Sequence, residues 1–221
     1  MNTNATSNKV ILTGTVVGNA TYSHTVFGEK FYILQLSVPR LSGNNDILPI
    51  SLSEHILSDL IADGNKLTVV GQLRSYNKLV ETHSKLLLTV FVQEVLPYDG
   101  TINPNTMELD GYICKVPVYR TTPFNREICD VLLAVNRPYN KSDYIPCIIW
   151  GRTARFASTL SVGEHIHIVG RVQSREYQKR LDDGSVDTRT TYEVSVTKLT
   201  LAQDATDLPQ ADSPTILTAV Q

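Results

Sequence analysis

The chain is poor in the residues that many chemistries require. It holds three cysteines among 221 residues, Cys114, Cys129 and Cys147. The count is odd, with no CxxC pair and no histidine at metal-ligand spacing, which excludes a disulfide framework or a zinc site and leaves reduced, buried thiols. Long apolar runs are missing too: the Lys85–Val92 stretch is far shorter than the roughly 20 residues a membrane helix needs. Met1–Lys9 is polar and lacks the basic-then-apolar pattern of a secretory signal, so a cytoplasmic location is expected. No nucleophile stands beside a base, no carboxylates pair along one strand, and no glycine loop suits a phosphate. An enzyme is therefore not expected, nor a cofactor or metal.

A basic excess is also lacking. The formal charge is −2, which speaks against nucleic-acid binding until its distribution is read. Residues 1–100 hold seven Lys and Arg against eight Asp and Glu, whereas 107–203 hold thirteen against eleven. An anionic ligand should prefer the second half.

What the chain does have is apolar content, 42% against 19% charged, enough for one large core or two small ones. It also repeats itself at an offset of 97 to 99 residues. Val10-Ile-Leu-Thr-Gly14 matches Met107-Glu-Leu-Asp-Gly111, Leu34–Val38 matches Val131–Val135, and Ile47–Ile50 matches Tyr144–Cys147. Gly64 and Gly71–Ser75 then match Gly163 and Gly170–Ser174, two residues later.

Within each copy, apolar residues alternate with period two, which means half-buried strands in the order β-β-β-helix-β-β. In the second copy Leu109/Gly111/Ile113, Val131/Leu133/Val135, Ile145/Cys147/Ile149 and Ile166/Ile168/Gly170/Val172 should point inward. A short helix is expected over Thr153–Leu160, and a fifth strand over Thr191–Leu201 after a hairpin with Asp182-Asp183-Gly184 at its tip. Five strands with a helix after the third is the order of the OB barrel, which binds oligonucleotides or oligosaccharides on one exposed face. The expected class is therefore all-β, two tandem five-stranded OB-fold barrels, each with a short helix between strands three and four. Their expected bounds are 8–96 and 107–203, with a linker over 97–106 and a disordered tail over 204–221.

Strand parity then places Tyr144, Pro146, Ile148 and Trp150 on the outer face, together with Arg171, Gln173, Arg175 and Tyr177. Aromatics interleaved with arginines suit single strands, because bases stack on rings while guanidiniums meet phosphates. A lone strand aromatic is usually packing; four aligned residues favour the binding face. Arg137 and Tyr139 sit where strands two and three join, and Tyr139 is there either a plain turn residue or a further stacking ring. Arg152 follows Trp150 into the helix, beside Arg155, which reads as a solvated charge. Lys179 and Arg180 are hairpin cations, also readable as solvated surface. His165 and His167 alternate with core isoleucines and face outward. The first copy has Ser53, Ile47 and Lys78 in place of Trp150, Tyr144 and Tyr177, keeping Arg74 and Tyr76 with Gln72 beside them, so its face reads as degenerate.

Tyr144-Ile-Pro-Cys-Ile-Ile-Trp-Gly-Arg152, Gly163 and Val169-Gly-Arg-Val-Gln-Ser-Arg-Glu-Tyr177 together resemble the bacterial single-stranded DNA-binding protein family, and Asn8-Lys-Val-Ile-Leu-Thr-Gly14 resembles the opening of that family's domain. The resemblance covers 107–201 well and 8–96 more loosely. It implies sequence-independent single-stranded DNA binding in replication, recombination or repair, hence a nucleoid-associated protein, with Trp150, Tyr177, Tyr139 and Tyr144 stacking bases. It also implies four OB folds per assembly, here a homodimer. Family members commonly end in an acidic tip that recruits replication and repair proteins; Ser213–Gln221 departs from that. The alternative is a primosome-type assembly module whose OB folds grip protein and bind DNA weakly.

Overall fold

The computed structural model describes residues 7–57, 61–80, 83–100, 104–180 and 184–202, with the side chains of 78–80, 83–85 and 179 outside that description. The tail from 203, and the Asp182-Asp183 part of the hairpin tip, lie outside it as well. The strands are β1 Asn8–Val26, β2 Glu29–Pro39, β3 Asn45–Ser53, β4 Lys66–Val80, β5 His83–Pro97, β6 Asn105–Ile113, β7 Val118–Thr121, β8 Glu127–Arg137, β9 Lys141–Trp150, β10 His165–Arg180 and β11 Val186–Leu201. The single described helix, α1, is Gly151–Ala157, too short and polar to cross a membrane.

The protein is mostly β, and hydrogen-bonded ladders close it on itself. In the second half β6 pairs with β8 and β10, β8 with β9, β9 in parallel with β11, and β11 with β10, a closed five-stranded barrel. The same circuit of pairings runs through the first half: β1–β2–β3–β5–β4 and back to β1, with β3 and β5 parallel. Alternation explains the interior. Leu109, Ile113, Leu133, Val135, Ile145, Ile149, Ile166, Ile168 and Val172 are all buried, as the period-two pattern predicts.

Glycine is needed where the strands bend closest. A Cβ on Gly111 would stand 2.5 Å from the Ala134 carbonyl oxygen, and one on Gly14 equally near that of Ser37. Both are backbone atoms of a paired strand and cannot step aside.

Several expectations need correction. The helix begins two residues before Thr153 and ends three before Leu160, because Leu160 turns in to join the core after the Ser158 cap. Residues 54–56 of the first half form a turn, and 58–60 lie outside the described residues, so no first-half helix is described. β7 was not foreseen: it hairpins onto β8, pairing Arg120 with Ile128 and Tyr119 with Cys129. Ile148 and Gln173 keep their expected outer-face positions, but neighbours cover both there. Ile148 shares a row with Ser195, over which Trp150 reaches, and Gln173 donates to Glu193 at 2.8 Å.

The halves join through β1 and β6, antiparallel and centred on Val10 opposite Met107. Those two residues are repeat equivalents, and Asn8 opposite Leu109 exchanges with Leu12 opposite Asn105. The seam therefore carries an internal two-fold, the pattern of an isologous interface held within one chain. Side chains obey it too. Asp46 accepts hydrogen bonds from the Ser174 amide (2.7 Å) and hydroxyl (2.9 Å), while Asp143 accepts one from the Ser75 amide (2.7 Å). Both carboxylates are fully buried.

Candidate nucleic-acid interface

The second half's outer face is laid out by β8, β9, β11 and β10 in that order. One row across it reads Asp130, Ile148, Ser195, Arg171. The Trp150 indole reaches over this row, its Nε1–H donating to the Ser195 hydroxyl at 3.2 Å, and the residue is 36% exposed. The only tryptophan is thus outside the barrel and one strand from Arg171. Tyr177, also 36% exposed, pairs with Arg189 six residues further along β10, about 20 Å away on the same face. Continuing the parallel register back from Cys147 opposite Val194 sets Tyr144 near the level of Thr191 and Arg175, between the two ends.

Tyr139 lies beyond this strip, at the tip of the β8–β9 hairpin. It is 94% exposed, and with Asn140 it takes a left-handed backbone, φ 64° and 54°. A tyrosine in that region is strained and holds its ring to solvent rather than to a core. Arg152 is exposed on the first turn of α1, next to the Trp150 end.

The arginines are more committed than their spacing suggests. Arg175 Nε lies 3.4 Å from Glu193, Arg171 donates to Gln173, and the unforeseen Arg120 makes a two-pronged contact with Asp130 at 2.6 and 3.2 Å. Between them runs a groove of about 380 Å³ lined by Val118, Arg120, Pro146, Arg175, Thr191 and Glu193. Sequence reasoning missed Glu193 and Arg120. Parity of the fifth strand would have exposed the first; nothing in the periodicity announced the second. The Lys179 side chain lies outside the described residues.

Two of the expected site residues also reach a carboxylate at the seam. Arg74 lies 3.1 Å from Asp143 and also donates to Gln72, and Arg137 Nε sits 3.4 Å from the same carboxylate without hydrogen-bond geometry. Across the two-fold, Arg40 donates to Asp46 through Nε (2.7 Å) and Nη2, and to the Ser174 carbonyl at 2.7 Å. Burial pushes the Asp46 carboxyl up, but the hydrogen bonds from Arg40 and Ser174 outweigh it and hold the group below the ordinary carboxylate range. Burial raises the thiols of Cys114, Cys129 and Cys147, which makes them poor nucleophiles. His165 stacks on Tyr112 at 4.4 Å and pairs with Asp110, while His167 sits 3.8 Å from that carboxylate. Among the described residues no group of three or more His, Cys, Asp or Glu could hold a metal ion.

A closed five-stranded β-barrel with a short helix between its third and fourth strands, and an outer face of rings and guanidiniums, defines the oligonucleotide-binding class of β-barrels. The model of the single-strand binding protein family matches residues 104–202. Single-stranded DNA-binding protein 3 of Listeria innocua is 35% identical over 81 residues, 34% of this chain and 51% of its own length. Single-stranded DNA-binding protein 1 of Staphylococcus aureus is 35% identical over 83 residues, covering 34% and 50%. The chain thus spans about half the length of these relatives. In fold, it is similar to the wild-type single-stranded DNA binding protein from Thermus aquaticus: TM-score 0.70, 21% identity, covering 92% of this chain and 96% of that one.

Proposed function

We propose that the chain binds single-stranded DNA without sequence preference, as two tandem OB domains (8–96 and 107–203), with the outer face of the second as its principal contact. The observation that carries this is the Trp150 indole, anchored to Ser195 one strand from Arg171 and open to solvent on its free side. Tyr144 and Tyr177 extend the stacking surface along the face, and Tyr139 extends it at the hairpin tip. Arg171, Arg175 and Arg152, with Lys179 on β10, supply charge to the phosphates. Arg175 can exchange Glu193 for a phosphate because its side chain is half exposed. Every base has a π-face, so a stacking surface of this kind tolerates all sequences. Two copies would complete a four-barrel assembly, and coating exposed strands in replication, recombination or repair is the task that follows. The family relationship of 104–202 and the fold likeness over both halves support this reading, which assigns no reaction to the chain.

The test is a titration with fluorescein-labelled oligo-dT, read by anisotropy, alongside quenching of Trp150 emission by unlabelled poly-dT. Trp150→Ala and Tyr177→Ala should each weaken binding by about 1–3 kcal/mol while leaving the fold intact. Wild-type affinity should fall as salt rises, because phosphate contacts release counterions. Undiminished affinity in the double variant refutes the assignment of this face.

A further inference from the structure

A carboxylate is out of place on a surface that meets phosphates, yet Glu193 stands at the centre of the second half's outer face. It lies two residues along β11 from the Ser195 that anchors the indole, and it pairs with Gln173 on β10. Continuing the β9–β11 register by one residue sets it beside Pro146. Glu193 is buried among these neighbours. Gln173 donates to its Oε1 at 2.8 Å, and Arg175 donates to its Oε2 at 3.4 Å.

The barrel does not require an acid at this position, as the repeat shows. Ser51 and Gln72 flank Phe91 in the first half as Ile148 and Arg171 flank Ser195 in the second. A Cβ on Gly71 would meet the Phe91 carbonyl, just as one on Gly170 would meet that of Ser195. Phe91 and Ser195 are therefore equivalent positions. Two residues back along each strand, Thr89 opposite Arg74 answers to Glu193 opposite Gln173. Thr89 carries no charge and donates to the Pro49 carbonyl. The same place in the ladder is thus filled without a carboxylate, so Glu193 serves something other than closure of the barrel.

Its neighbours indicate what. The groove of about 380 Å³ on this face holds two guanidiniums, and an acid meets each: Glu193 meets Arg175, and Asp130 meets Arg120. The hydrogen bond from Asp130 raises the Arg120 guanidinium further above its ordinary value, and the Glu193 charge adds to that. The groove is therefore electrically compensated before any ligand arrives. Its two partners differ in freedom, because Gln173 ties the Glu193 carboxylate down whereas the Arg175 side chain is half exposed. When an anion arrives, the arginine can swing and the acid stays.

We infer that Glu193 is a resident counter-ion of the binding face, which occupies the Arg175 guanidinium when no strand is bound and so sets the affinity and salt dependence of binding. A strand phosphate takes Arg175 from it, and the carboxylate left behind draws a cation from solution. That uptake offsets the cation which the phosphate releases, so this contact adds little to the salt dependence. The inference rests on the single-stranded DNA reading above and adds to it the residue that regulates the face.

The test is a double-mutant cycle on the full chain, with Glu193→Gln, Arg175→Gln and both, titrated against fluorescein-labelled oligo-dT between about 50 and 200 mM salt. Glutamine keeps the size of the side chain and an oxygen that can accept from Gln173. E193Q should bind roughly 2- to 5-fold tighter than wild type, the reach of a half-exposed ion pair. Its plot of log affinity against log salt should be steeper by about 0.7, one single-strand phosphate contact. Introduced beside R175Q, the same change should give a smaller gain and no extra slope. Equal or weaker binding by a folded E193Q, or a gain of the same size with R175Q present, would overturn the counter-ion role while leaving the face standing. Should E193Q lose its fold in a melting curve, nitrogen–proton spectra of wild-type side chains decide. On adding oligo-dT the Arg175 Nε–H signal should move while the Gln173 amide signals stay, and an Arg175 signal that stays in place overturns the role. A wild type that binds no oligo-dT would instead sink the single-stranded DNA reading itself.

Discussion

Changing Asp46 to Asn tests how the two halves are held together. The carboxylate is fully buried and accepts from Arg40 and from the Ser174 amide and hydroxyl, the latter two reaching it across the seam. Removing one partner of a buried ion pair costs about 3–5 kcal/mol when the remaining charge stays buried. Arg40 is 25% exposed and can turn toward water, and an asparagine oxygen can still accept one Ser174 bond, so the lower end, about 3 kcal/mol, is expected. For a chain of this size that corresponds to a melting temperature about 6–12 °C lower. The pH dependence has a definite sign. Because the folded carboxyl titrates below its unfolded value of about 3.9, its contribution is complete above that pH and is lost as pH falls through the lower folded value. Melting followed by circular dichroism should therefore show the full gap between wild type and D46N at pH 7, and a gap that narrows as pH falls through the lowered folded value. A gap that is absent at pH 7, or that widens as pH falls below the unfolded value, would refute this account of the seam.

Two further outcomes are expected. Gly111→Ala places a methyl against the Ala134 carbonyl between paired β6 and β8, and overpacking of this kind should cost about 1–3 kcal/mol in urea unfolding, whereas an unchanged midpoint would show that the strands can separate freely. Ser53→Trp alone should destabilise the first half by crowding Phe31 and Phe91, and Phe91→Ser added to it should recover stability, since the pair recreates the Trp150–Ser195 arrangement; a double-mutant cycle with no coupling would contradict the equivalence.

Strand parity carried most of the second barrel. The alternation in β8, β9 and β10 was readable because one face of each strand meets a core and the other does not, and that contrast is written residue by residue. It does not report exposure, which is lost where a tertiary contact covers the outer face: Ile148 under the reach of Trp150, and Gln173 tied to Glu193. The ion pairing of the charges was hidden for a related reason. Arg74 and Arg137 stand on strands that parity turns outward, yet the partner half supplies or shares the acid that holds them, and no periodicity within one repeat reports what the other repeat places against it.

Phe91 stayed hidden because the repeat does not keep step there. Equivalent residues lie 99 apart in β4 and β10 but 104 apart in β5 and β11, since the second hairpin is longer, so a search at constant offset sets Phe91 against the wrong residue. The ladders restore the correspondence and show that the two faces reach an aromatic surface by different routes. Two identical subunits related by a two-fold could not do this, because every change made on one would appear on the other. In one chain the seam residues Asp46 and Asp143 keep the same role while Ser195 and Phe91, or Gln173 and Arg74, differ. The second face is then built from rings at its ends with paired charges between, and the first from rings at its centre beside two guanidiniums.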